Sequence, residues 1–274
     1  MDKDTVSSNF ANLDDKIEIA RDLIREQNFP QAKRYLEELI KLAPQQPDMN
    51  YLLGQLYEHD QDYKKAVECF AVLLHLEPSY ELKCRIAQCF LDGGEYDKAY
   101  NLFKELYQEN CEDINVVEQF AHVSRILGQV DEAVIAYNFM LDVDKNNLVA
   151  LTQLSEIYYD VQDKMNHYLI KAKLNYIENM LSSAADCLKK ALNYSQDDED
   201  IINILLNLGK VLFEAGKYHD AMEQYHFVLN LEPSNSIALA QVDAINKKLG
   251  NYGDEESEEE HSWVAKLVAF FSFF

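Results

Sequence analysis

The chain has 274 residues, 48% of them hydrophobic, with only eight glycines and five prolines. That is enough apolar material for a sizeable core and too few backbone breakers for a loop-rich or all-β protein. A formal charge of −23, from 25 Lys and Arg against 48 Asp and Glu, sets DNA and RNA aside as partners, because nucleic-acid affinity comes largely from Lys and Arg displacing condensed counterions.

At the amino terminus, Met1 to Lys16 carries Asp2, Asp4, Asp14 and Asp15 and lacks the basic start and apolar run of a secretory leader, so a cytoplasmic chain with a flexible lead-in over residues 1–12 is expected. A recurring phrase follows. It is clearest as Gly54-x-x-Tyr57, Tyr63-x-x-Ala66-x-x-x-Phe70 and Pro78. It returns as Ala87-x-x-Phe90, Tyr96-x-x-Ala99-x-x-x-Phe103, and again as Leu208-Gly209, Tyr218-x-x-Ala221-x-x-x-Tyr225 and Pro233. Weaker copies hold Ala20, Ala32 and Pro44, and Ala121, Gly128 and Ala133. Physically, small residues permit two helices to cross closely, aromatics at i, i+3 and i+4 fill the space beside the crossing, and proline stops the second helix.

The alanines Ala32, Ala66, Ala99 and Ala133 recur at steps of 34, 33 and 34. This pattern resembles the tetratricopeptide repeat, whose period is about 34 residues. The resemblance implies an all-α, right-handed superhelix of stacked antiparallel hairpins, without strands and with a C-terminal capping helix. Hairpins are expected at 13–46, 47–79, 80–113, 114–147 and 202–235, with the cap over Ser236 to Leu249. Residues 148–201 depart from the pattern, since a regular fifth unit would put His167 where a small residue belongs. A half-repeat shift instead places Ala172 and Ala184 at the crossings. The expected organisation is therefore an array of four hairpins plus an extra helix over 13–160, a register break between Asp160 and Asn166, and two further hairpins with the cap over 161–249. The acidic stretch Gln196 to Asp200 reads as a solvated loop, and residues 250–260 as an acidic linker.

No phosphate-binding glycine loop, HExxH or GxSxG occurs. The histidines are scattered, and His219, Asp220 and His226 read as surface groups. Five cysteines (Cys69, Cys84, Cys89, Cys111, Cys187) form no CxxC and predict packed free thiols, with no metal or other cofactor. The expectation is a protein that is not an enzyme. In tetratricopeptide arrays the first helix of each hairpin lines the concave face, and carrying this over gives a candidate groove of Arg21, Arg25, Tyr51, Gln55, Glu58, His59, Gln88, Asp92, His122, Arg125, Glu156 and Tyr159. Such a face suits a peptide or helix of a partner protein. The variant that clamps a terminal carboxylate is not expected, because its positions hold Ile17, Arg21, Leu52, Glu81 and Arg85.

The run Asp254 to Glu260 contains six of the acids, so the rest of the chain still carries −17. Beyond it, Trp263, Leu267, Phe270, Phe271 and Phe274 would share one side of a helix too short to span a bilayer, forming a docking tail over 261–274. Leaving it in water costs roughly 1.5 to 3 kcal/mol per large apolar side chain, so its own groove, a partner or a membrane surface should cover it. The functional expectation is a scaffold or adaptor that binds partner proteins. The alternatives are a membrane-peripheral assembly factor held by the tail, or the regulatory subunit of an enzyme on another chain.

Overall fold

A computed structural model describes residues 3–250, and among the described residues it contains fourteen α-helices and no strand. The chain divides into two units, residues 1–143 and 144–274.

The first unit contains α1 (Lys3–Arg25), α2 (Phe29–Ile40), α3 (Pro47–His59), α4 (Tyr63–Leu76), α5 (Tyr80–Asp92), α6 (Tyr96–Glu109), α7 (Ile114–Ile126) and α8 (Val130–Val143). These pair in sequence as four hairpins. No Gly or Pro interrupts Lys3 to Arg25, and the helix begins at Lys3; residues 3–12 thus belong to α1 and not to a flexible lead-in. Pro47 opens α3 at a position whose N–H would have no helical partner. Asp62 and Asp113 cap α4 and α7 by accepting from backbone N–H groups.

The second unit contains α9 (Leu148–Asp160), α10 (Lys164–Ile177), α11 (Leu181–Leu192), α12 (Asp198–Glu214), α13 (Tyr218–Leu231) and α14 (Ser236–Gly250). The acids Asp198, Glu199 and Asp200 form the first turn of α12 and not a loop, because carboxylates there face the positive end of the helix dipole.

The crossings follow one rule. In every hairpin but α9–α10, the crossing buries two small residues twelve positions apart: Ala20 and Ala32, Gly54 and Ala66, Ala87 and Ala99, Ala121 and Ala133, Ala172 and Ala184, Gly209 and Ala221. A Cβ added at Gly54 would lie 2.4 Å from Cε1 of Phe70, and one at Gly209 would lie 2.7 Å from Cζ of Tyr225. Glycine is required there by steric contact. At the turns, a left-handed residue ends each first helix: Gln27, Gln61, Gly94, Gly128, Gln162, Asn179 and Gly216. The next N–H reaches back five residues, as from Asn28 to Leu23 O and from Asp62 to Tyr57 O, at 2.9 and 2.8 Å, which satisfies carbonyls the helix end leaves open.

These turns locate the change of phase. Gln162 continues the series 27, 61, 94, 128, and only Asn179 falls half a repeat early. The break is therefore at Asn179, not between Asp160 and Asn166. Helix α10 packs on α9 through one face and on α11 through another, so it serves as the second helix of one hairpin and the first of the next. His167 does occupy the small-residue position opposite Ser155, twelve residues away. It fits because its Nδ1 lies 2.9 Å from the Ser155 carbonyl oxygen. Helix α9 accordingly opens the second unit instead of capping the first.

Candidate functional site

In the first unit the first helices are α1, α3, α5 and α7. Their contacts skip the intervening second helices, with α1 touching α3 and α5 touching α7. Side chains join them further. Arg21 Nη2 on α1 lies 3.1 Å from Asp48 Oδ2 on α3. Arg85 on α5 donates through Nε and Nη2 to the Glu58 carboxylate on α3, the shortest contact being 2.7 Å, and through Nη1 to the Tyr51 hydroxyl at 3.1 Å. The guanidinium also stands 5.0 Å from the Phe70 ring centre and 5.4 Å from that of Tyr51.

The Arg85–Glu58 pair is half-buried, with side chains 28% and 22% exposed. Its charges are held by several hydrogen bonds at once, which a partly desolvated pair needs. Beside it, burial and then the Glu58 carboxylate push the Cys89 thiol up to about 12. That thiol is unreactive packing.

The remaining expected residues lie on α1, α3, α5 and α7 and, for two of them, on α9. Arg25 binds Asp22 and Glu18 at 2.6 and 3.0 Å. Gln55 is half-buried and His59 exposed on α3, the His59 ring 4.5 Å from that of Phe29. Gln88 donates to Asp92 at 2.8 Å on α5. His122 is exposed and Arg125 half-buried on α7. Glu156 and Tyr159 are exposed on α9 and belong to the second unit. Trp263, Leu267, Phe270, Phe271 and Phe274 lie outside the described residues. The carboxylate-clamp positions are used otherwise: Ile17 is buried, and Arg21 and Arg85 already hold acids of their own chain.

Arg85 is the organising residue that the candidate groove omitted. A signal was available, since Tyr51 and Arg85 are 34 residues apart and so occupy equivalent positions in successive repeats.

One Ser–His contact deserves a chemical test. Ser155 Oγ lies 3.3 Å from His167 Nδ1, but the same nitrogen is closer to the Ser155 carbonyl oxygen, to which only an N–H can donate. With its proton there, Nδ1 has no lone pair to accept the serine proton, and the pair is not a nucleophile with its base. Among the described residues no group of three or more His, Cys, Asp or Glu could hold a metal ion, and no helix is long and apolar enough to cross a membrane.

Short two-helix units with small residues at each crossing and bridged first helices define a class of helical-repeat protein. Residues 17–81 match the model of the tetratricopeptide repeat, and curated proteins that the chain resembles carry the same repeat. The chain is 25% identical over 124 residues to tetratricopeptide repeat-containing protein trd-1 of Caenorhabditis elegans, covering 45% of this chain and 16% of that protein. It is 22% identical over 176 residues to tetratricopeptide repeat protein 8 of the same organism, covering 58% and 34%. The chain thus spans about a sixth and a third of the length of these relatives. Among solved structures, MamA (residues 41 to the end) from Desulfovibrio magneticus RS-1 shares the fold at 17% identity, with a TM-score of 0.53 over 62% of this chain and 96% of that one. Repeats of this family generally mediate contacts between proteins.

Proposed function

We propose that the first unit is a non-enzymatic binding module whose first helices receive a peptide or helix of a partner protein. The reading rests on the side-chain bridges from α1 to α3 and from α3 to α5, which make these helices one continuous polar and aromatic face. Gln55, His59, Gln88, Asp92 and His122 offer amide, imidazole and carboxylate groups along it, and Tyr51 adds apolar area. A peptide backbone bonds well to amides, and the mixed signs suit a ligand of mixed charge.

The test is affinity purification of the full chain from its native host, compared with the variant Gln88→Ala plus His122→Asp and with Lys64→Ala as control. Lys64 is exposed on the second helix α4. Discrete protein partners that are lost with the double variant and kept with the control support the reading. Partners retained equally by both variants would refute the face, and recovery of the chain only with lipid would refute the module.

A further inference from the structure

The second unit holds a feature at odds with the charge of the chain. A pocket of about 440 Å³ opens between α10, α11 and α12, bordered by the Lys145–Asn146 turn. Its apolar wall is Leu169, Ile170, Ala172, Tyr176, Leu188 and Val211, and three ammonium groups border it: Lys145, Lys173 and Lys210. Nearby acids answer them only in part. Asp144 attracts Lys173, while Glu214 accepts the Tyr176 hydroxyl at 2.7 Å and Lys210 stands over the Tyr176 ring at 4.9 Å.

We propose that this pocket binds the chain's own acidic segment, Asp254 to Glu260, with Trp263 against its apolar wall. Three observations converge on that occupant. First, charge: six carboxylates in seven residues meet three lysines in a molecule otherwise strongly acidic. Burial, reinforced by Lys145, pulls the Lys173 ammonium below its ordinary value, and an anion beside it would oppose that shift by favouring the charged form. Second, connection: α14 ends at Gly250 and packs on α13 and α12, and α12 supplies Asn207, Lys210 and Val211 to the pocket. Ten further residues reach Glu260 and span at most roughly 33 to 36 Å, against an interhelical spacing of about 8 to 10 Å. A segment tethered beside a helix that lines its site gains effective concentration from the tether. Third, composition: the aromatic stretch after the acids needs apolar cover, and the pocket offers Leu169, Ile170 and Val211 directly beside the lysines. None of this depends on the reading of the first unit.

Trp263 is the only tryptophan in the chain, so its fluorescence in the full-length protein reports on the segment. At low salt its emission should be blue-shifted and shielded from acrylamide. Raising salt to about 1 M, where the screening length falls to about 3 Å, should increase quenching about twofold or more. The variant Lys173→Glu plus Lys210→Glu should do the same at low salt, while Lys98→Glu in the first unit should not. Adding Glu258→Lys plus Glu259→Lys to the double variant should restore shielding. Water-exposed, salt-insensitive emission in the wild-type chain would overturn the proposal without reference to any variant. So would shielding that depends on protein concentration, which would mean a second copy, or that appears only with phosphatidylcholine vesicles.

Discussion

Crossings and turns place different demands on their residues, and two glycines separate those demands. At Gly54 the constraint is contact, because an added methyl meets the fully buried Phe70 ring. At Gly94 nothing lies within 4 Å of an added Cβ, and the constraint is φ at +75°. Gly54→Ala should therefore cost about 1 to 3 kcal/mol by overpacking, and Gly94→Ala about 1 to 2 kcal/mol through backbone conformation alone. Ala66→Leu and Ala99→Leu belong with Gly54→Ala, while Cys69→Ser, half-buried beside its crossing, should be milder. Urea denaturation of the set checks this order. The thiols allow a second measurement. Cys111 is exposed and Cys89 and Cys187 are buried, with Cys69 pushed up to about 11 by burial. Iodoacetamide at pH 8 should label Cys111 first and the buried pair only after unfolding, as read by peptide mass spectrometry.

At the scale of helices, α10 is the informative element. It presents His167 to α9 and Ala172 to α11, five residues apart, so two crossing surfaces share fourteen residues. Such a helix couples both neighbours, and damage at either surface should be felt by the whole second unit. Ala172→Leu is expected to cost about 1 to 3 kcal/mol and to lower protection of α9 as well as α11 in amide hydrogen exchange. Loss of protection confined to α11 would show that the two surfaces are independent. The repeat phrase and its period were readable in the sequence because each crossing repeats the same small residues. The position of the break was not, since histidine at a crossing looks disqualifying until its hydrogen bond to the Ser155 carbonyl is known.

For the molecule as a whole, surface ion pairs add a contribution that depends on pH. The Lys104 ammonium and the Tyr100 hydroxyl bind Glu132 at 2.8 and 2.7 Å and hold its carboxyl below the usual 4.5. Lys33 does the same for Asp60, and Lys65 for Asp62. A carboxyl lowered in the folded state binds its proton more readily when unfolded. Its contribution is therefore complete above the unfolded value and lost as pH falls through the lowered one. The thermal midpoint should fall as pH drops below about 4.5. Glu132→Gln should lower the midpoint at pH 7 and converge with the wild type at acid pH, a difference that scanning calorimetry across pH 3 to 7 would resolve.

The sequence by itself determined an all-helical array and the small residues that bury at most of its crossings, because these depend on spacing along one chain and on side-chain size. Tertiary structure decided what depends on contacts between repeats. It joined Tyr51, Glu58 and Arg85 into one cluster, drew Lys145, Lys173 and Lys210 to one pocket, and gave α10 its two partners. Groups 27 to 65 residues apart meet only when the hairpins stack, and no local pattern records which of their polar atoms will find each other.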